Sequence, residues 1–216
     1  MTKARFAIIL ILSLVGAGFK PARSSSQDVT LVRFEKIRSD PQLKSQLEGM
    51  VRRAVQSAFG DRAGLKPAPT EGIDPLLRDP FPAFITAKKG EKVRGCMGSL
   101  ETRTSSLETE IQKNLKLAFT QDPRHPPIQK DELVGMEIFI TAVGTPKAVQ
   151  RLSQISPARD GLLIRSGNRE AVVLPGEAKT TRYLLAFARA KAGIKRGVSY
   201  QVFQLPTATM SMMIND

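Results

Sequence analysis

Apolar positions recur at helical spacing from Gln42 onward. Leu43, Leu47, Met50, Ala54 and Ala58 fall on one stripe, so residues 42–59 are expected to form an amphipathic helix, and Gly60 is a natural stop. A second stripe, Leu107, Ile111, Leu115, Ala118 and Phe119, predicts a helix over about 106–120. Ser105 or Ser106 is placed to cap it, with Glu108 or Glu110 in its first turn. A third helix is expected over 181–192, closed by Gly193. Between these, short apolar runs read as strands: Ala83–Ala87, a strand entering Cys96 from Val93, and 137–143. A hairpin over 161–166 and 169–174 turns at Gly167-Asn168, and a last strand runs over 198–205. Residues 206–216 are expected to be a loosely ordered tail. Hairpins mixed with helices argue for an α+β fold: a two-lobed single domain over about 42–205, its mixed or antiparallel sheet flanked by helices.

The remaining segments read as connections or leader. Residues 61–82 carry Pro67, Pro69, Pro75, Pro80 and Pro82 and are expected to be loop. The stretch Ala17-Gly18-Phe19-Lys20-Pro21-Ala22-Arg23-Ser24 recurs as Ala63-Gly64-Leu65-Lys66-Pro67-Ala68-Pro69-Thr70, a unit too short for a solenoid repeat. Residues 1–26 read as a signal peptide or disordered N-terminus: Lys3 and Arg5 precede an apolar run from Phe6 to Val15, and small residues follow. That run falls short of the roughly 20 residues an ordinary spanning helix needs. The expected destination is the periplasm or cell envelope. The alternatives are an uncleaved anchor, or a cytoplasmic protein with a misassigned start.

Composition narrows the chemistry. The 216 residues carry a formal charge of +13, which favours anionic partners. The basic residues are scattered, aromatic content is 6%, and no nucleic-acid-binding signature stands out, which argues against nucleic acid. One cysteine excludes an internal disulfide. One histidine and no cysteine cluster argue against a zinc site, and no cofactor fingerprint is visible.

The candidate chemistry centres on Val93-Arg94-Gly95-Cys96-Met97-Gly98-Ser99-Leu100. A glycine-flanked thiol at the end of a hairpin suits a reactive group on a rigid support, and a guanidinium nearby favours thiolate. The competing reading makes Cys96 a small buried hydrophobe. Asp122 and Arg124, in Asp122-Pro123-Arg124-His125-Pro126-Pro127, can pair with each other, orient a substrate carboxylate or phosphate, or tie a loop to the core. His125, the single histidine, is expected at the surface rather than as a base.

These motifs resemble the AMMECR family, whose bacterial members include AmmeMemoRadiSam system protein A. Arg94-Gly95-Cys96-Met97-Gly98-Ser99 is similar to the family's Arg-Gly-Cys-Ile-Gly-Thr, and the Asp122–Pro127 turn to its Asp-Pro-Arg-Phe-Pro-Pro. The likeness extends through Asp160–Arg165, Val173-Leu174-Pro175 and Lys191-Ala192-Gly193, covering about residues 43–205 in order. Two departures are the Gly176-Glu177 after Leu174-Pro175 and the lack of tryptophan. The resemblance implies that the motif lines a cleft between two lobes. It implies Cys96 as candidate nucleophile and Arg94, Gly95, Gly98, Asp122 and Arg124 as candidate binding residues for a small anionic molecule. A non-catalytic binding or adaptor module is the alternative, and nucleic-acid binding the third. Memo-like or radical-SAM pathway proteins are the partners the family name implies.

Overall fold

The structure is a computed structural model, and it describes residues 28–60 and 73–214. The expected leader and both copies of the repeat lie outside the described residues. Seven strands form one antiparallel sheet. They are β1 (Ala83–Lys89), β2 (Lys92–Gly98), β3 (Met136–Val143), β4 (Lys147–Ala148), β5 (Asp160–Ser166), β6 (Arg169–Val173) and β7 (Gln201–Ile214). The order across the sheet is β2-β1-β3-β7-β5-β6, with β4 also paired to β7. The helices are α1 (Val29–Ser39), α2 (Pro41–Ala58), α3 (Leu107–Thr120) and α4 (Thr181–Lys191). The α+β expectation holds, and the sheet is wholly antiparallel rather than mixed.

The local signals explain most of these elements. Asp40 caps α2 by accepting from the N–H groups of Gln42 and Leu43, and Pro41 occupies the first helical position, where its missing N–H costs nothing. Ser106 caps α3 through the N–H of Thr109. Thr180 does the same for α4 through Tyr183. Gly193 has a φ of 64°, the left-handed conformation that ends a helix cheaply in glycine.

Two expectations are corrected. The domain does not begin at Gln42: α1 precedes it, buries Phe34 and Ile37, and sets Phe34 edge-on to Phe81 with centroids 5.6 Å apart. Residues 206–214 are not a loose tail either. They are the second half of β7, the longest strand. Its first half pairs with β5 and its second half with β3. Ala208, Met210, Met212 and Ile214 alternate with Thr207, Thr209, Ser211 and Met213, so one edge of each residue pair enters the core.

This strand is the spine that joins two lobes. In the larger lobe, α1, α2 and α3 cover β1, β3 and the second half of β7, burying Leu47, Ile85, Leu115, Ile140 and Met210. In the smaller lobe, α4 covers β5 and β6 around Leu162, Ile164, Val173, Leu184 and Ala188. A third, small apolar cluster unites elements of both lobes: Cys96 of β2, Val143 of β3, Leu205 of β7 and Leu174, which follows β6. Cys96 therefore sits at the seam. No helix among the described residues is long and apolar enough to cross a membrane.

Candidate functional site

β2 is an edge strand, so alternate residues present N–H and C=O groups with no strand to receive them. At Cys96 this need is met by side chains. The Cys96 N–H donates to Asp122 Oδ2 at 2.9 Å, and Arg124 Nη2 donates to the Cys96 carbonyl at 2.9 Å. Asp122 and Arg124 in turn pair with each other, Nη2 to Oδ2 at 2.7 Å and Nε to Oδ1 at 2.9 Å. The acid–base pair thus stands where a neighbouring strand would stand, offering one acceptor and one donor in register. It also explains why Asp122, though 4% exposed, tolerates burial as a carboxylate. Burial pushes its carboxyl up, but the Arg124 guanidinium and the N–H groups of Cys96 and Arg124 hold it below the usual range.

Because its backbone bonds point off the sheet edge, Cys96 faces Thr86 of β1 across a pair that exchanges no backbone hydrogen bonds, where side chains approach closely. The Thr86 hydroxyl donates to Cys96 Sγ at 3.1 Å. Cys96 is 6% exposed. Burial pushes its thiol up, and this outweighs the hydroxyl of Thr86 and the cations Lys191 and Arg124, while Glu177 adds to the rise. The buried hydrophobe is the description that matches this environment.

Arg94 does not stand beside the thiol. Ala87 pairs with Gly95 and Lys88 with Val93, so Arg94 is the extra residue of a β-bulge. The bulge aims its side chain at Glu132, which it grips with Nε at 2.8 Å and Nη2 at 2.9 Å. Glu132 is held at about 2 by that guanidinium, helped by the Gln129 N–H. The guanidinium that acts on the thiol is Arg124's.

The two glycines are explained by the protein's own backbone. Neither has a positive φ. A Cβ on Gly95 would lie 2.0 Å from the Ala118 carbonyl oxygen of α3. One on Gly98 would lie 2.3 Å from the Ala83 oxygen and 2.5 Å from Phe84 Cα. Both let other backbone segments approach, so α3 packs directly on β2 and β1 packs beside it.

His125 lies on the same turn, partly exposed, and its N–H donates to the Asp122 carbonyl. Burial lowers its imidazole. No hydrogen bond joins it to Cys96. No group of His, Cys, Asp and Glu among the described residues is placed to hold a metal ion.

A buried acid escaped the sequence reading. Glu110 of α3 is 1% exposed and accepts from Thr104 Oγ1 at 2.9 Å and Asn114 Nδ2 at 3.2 Å. Asn114 also donates to the Ala83 carbonyl at 3.3 Å. Together they fasten the segment after Gly98 to the helix. A glutamate in the first turn of a helix reads as a dipole partner, so the spacing alone carries no sign of burial.

This antiparallel α+β fold, with a glycine-flanked cysteine strand clamped by an Asp-Pro-Arg turn, defines the class. The AMMECR1 family model matches residues 48–208, so the chain belongs to the AMMECR1 family. A protein of Thermotoga maritima is 32% identical over 130 residues, which are 58% of this chain and 75% of that one. A protein of Clostridium acetobutylicum is 26% identical over 199 residues, 87% of this chain, and the match spans 42% of that protein's length. Among solved structures, that of an uncharacterized protein from Pyrococcus horikoshii superposes with a TM-score of 0.63 at 21% identity, covering 76% of this chain and 90% of that one. It has the same fold.

Proposed function

We propose that this AMMECR1-family chain is a non-catalytic binding module and that its Arg-Gly-Cys-Met-Gly motif builds the joint between the lobes. The observation that carries this reading is the full commitment of the motif's polar groups inside the protein. Both backbone groups of Cys96 are bonded to Asp122 and Arg124, its sulfur accepts from Thr86, and Arg94 is neutralised by Glu132. A nucleophile needs a thiolate fraction, access and a base. Burial works against the first two here, and no base is bonded to the sulfur. Arg94 and Arg124, the cations expected to hold a small anion, each already hold a carboxylate.

Alkylation of folded protein by iodoacetamide tests this. The expected rate is at least about a thousandfold below that of a free thiol at the same pH. It should rise no earlier than the unperturbed thiol value of about 8.5, and reach the free-thiol rate only on unfolding. A folded-state rate that titrates well below 8.5 would make Cys96 a nucleophile and defeat the binding-module reading.

A further inference from the structure

The charge of this chain is divided unequally between its lobes. Residues 147–200, the smaller lobe, hold eleven Lys and Arg against three Asp and Glu. The other described residues, the larger lobe and its strands, hold sixteen against fourteen. Pairing follows the same division. In the larger lobe, Arg38, Lys44, Arg52, Arg53, Arg94, Lys113 and Arg124 all lie within 4.0 Å of a carboxylate. In the smaller lobe, Arg165 with Glu170 is the one such pair among the described residues. The lobe's other two acids accept backbone N–H groups, Asp160 from Ser156 and Glu177 from Leu174.

Four of the smaller lobe's ten cations without a carboxylate partner flank α4. Lys179 and Arg182 are exposed at its start, and Lys195 and Arg196 are exposed just after its end. A helix of this length spans about 16 Å. Between them Tyr183 is 61% exposed and stacks on Phe187, with centroids 6.4 Å apart and planes 17° from parallel. Val198, in the loop after α4, is 45% exposed. Uncompensated cations around exposed aromatic and aliphatic side chains are what an anionic interface selects: the charges meet headgroups, and the tyrosine sits where one end is apolar and the other wet.

We infer that the α4 face of the smaller lobe docks on an anionic lipid surface. This names the partner of the binding module proposed above and rests on that reading. Charge complementarity is the primary argument. The second is the N-terminal sequence pattern: Lys3 and Arg5 before the apolar run Phe6–Val15 read as a signal peptide or an uncleaved anchor, and either would take the chain to a membrane. A nucleic acid would find the same cations, and the experiment separates the two.

Flotation of the full chain with phosphatidylcholine vesicles, with and without a third of phosphatidylglycerol, is the test. The neutral arm reads whatever the apolar N-terminal run contributes. Partitioning onto the anionic vesicles is expected to be at least about tenfold stronger, and to fall steeply as salt rises. Each surface cation is worth about a factor of five at such an interface, so Arg182→Gln/Lys195→Gln/Arg196→Gln should remove about a hundredfold. The matched triple Lys36→Gln/Lys92→Gln/Lys116→Gln, exposed on the larger lobe, should remove less than about fivefold. Tyr183→Ser should weaken anionic binding severalfold without moving the unfolding midpoint. Equal binding to both vesicles, or equal loss from both triples, overturns the proposal. So does tighter binding of a single-stranded oligonucleotide that competes with the anionic vesicles. Such a failure beside an inert Cys96 leaves the binding-module reading standing, whereas a reactive thiol defeats that reading whatever the vesicles show.

Discussion

Gly95→Ala is expected to lower the unfolding free energy by about 3 kcal/mol or more. The new methyl carbon would start 2.0 Å from the Ala118 carbonyl oxygen, less than two-thirds of an ordinary contact. That oxygen belongs to the backbone of α3, so no side chain can swing aside to make room. Relief requires α3 to lift off β2 by more than an ångström, or β2 to bend away from β1. The first would open the packing of Leu115, Ala118 and Phe119, all buried in the larger lobe. Gly49→Ala is the control. Its methyl would meet the far end of the Arg53 side chain at 3.5 Å, and mid-helix alanine is favoured over glycine by up to about 1 kcal/mol. Denaturant unfolding of both variants reads the contrast: a large loss at Gly95, none or a small gain at Gly49.

Asp122→Ala should cost about 3 kcal/mol by the same measurement. It removes the acceptor for the Cys96 N–H and the carboxylate that holds Arg124. Breaking a buried pair by removing one partner costs about 3–5 kcal/mol, because the charge left behind is uncompensated. Arg124 keeps 33% of its side chain exposed and can turn partly to water, which places the expectation at the lower end. The double variant Asp122→Ala/Arg124→Ala should cost less than the sum of the singles, since neither charge is then stranded. The sign of the pH dependence is fixed by the depressed carboxyl. Asp122's contribution is complete above its unfolded value of about 3.9 and is lost as pH falls through the lower folded value. Acid unfolding of the wild type should therefore show a step that the alanine variant lacks.

Much of this architecture is written in periodicity. The stripes of α2 and α3, the Ser106 cap of α3, the Gly167-Asn168 turn and the Gly193 stop are short-range signals, and each element lies where its pattern puts it. The errors came where long-range packing overrides local pattern. In α1 the buried residues are Phe34 and Ile37, too few to mark a stripe, and it is held by tertiary contacts such as Phe34 against Phe81. The second half of β7 carries a clean alternation, but Pro206 just before it argues for a break. The structure accepts that proline at the point where the strand changes partner from β5 to β3. At the site, sequence brought Cys96, Asp122 and Arg124 into one hypothesis, and the structure places them in direct contact. What no spacing could reveal is that β2 is an edge, so that the turn serves its backbone. The bulge at Arg94 was equally hidden, because a strand read as strictly alternating would set that arginine on the same face as the thiol.

Asp122 and Arg124 act as the missing strand beside Cys96, and hydrogen exchange at the Cys96 amide is the measurement that reads this. An edge-strand amide open to water exchanges with little protection. In the wild type the Cys96 amide should open at a free energy within about 1 kcal/mol of global unfolding, and Asp122→Ala should lower this protection more than it lowers global stability. Rapid exchange in the wild type, or protection unchanged in the variant once global stability is accounted for, would contradict it.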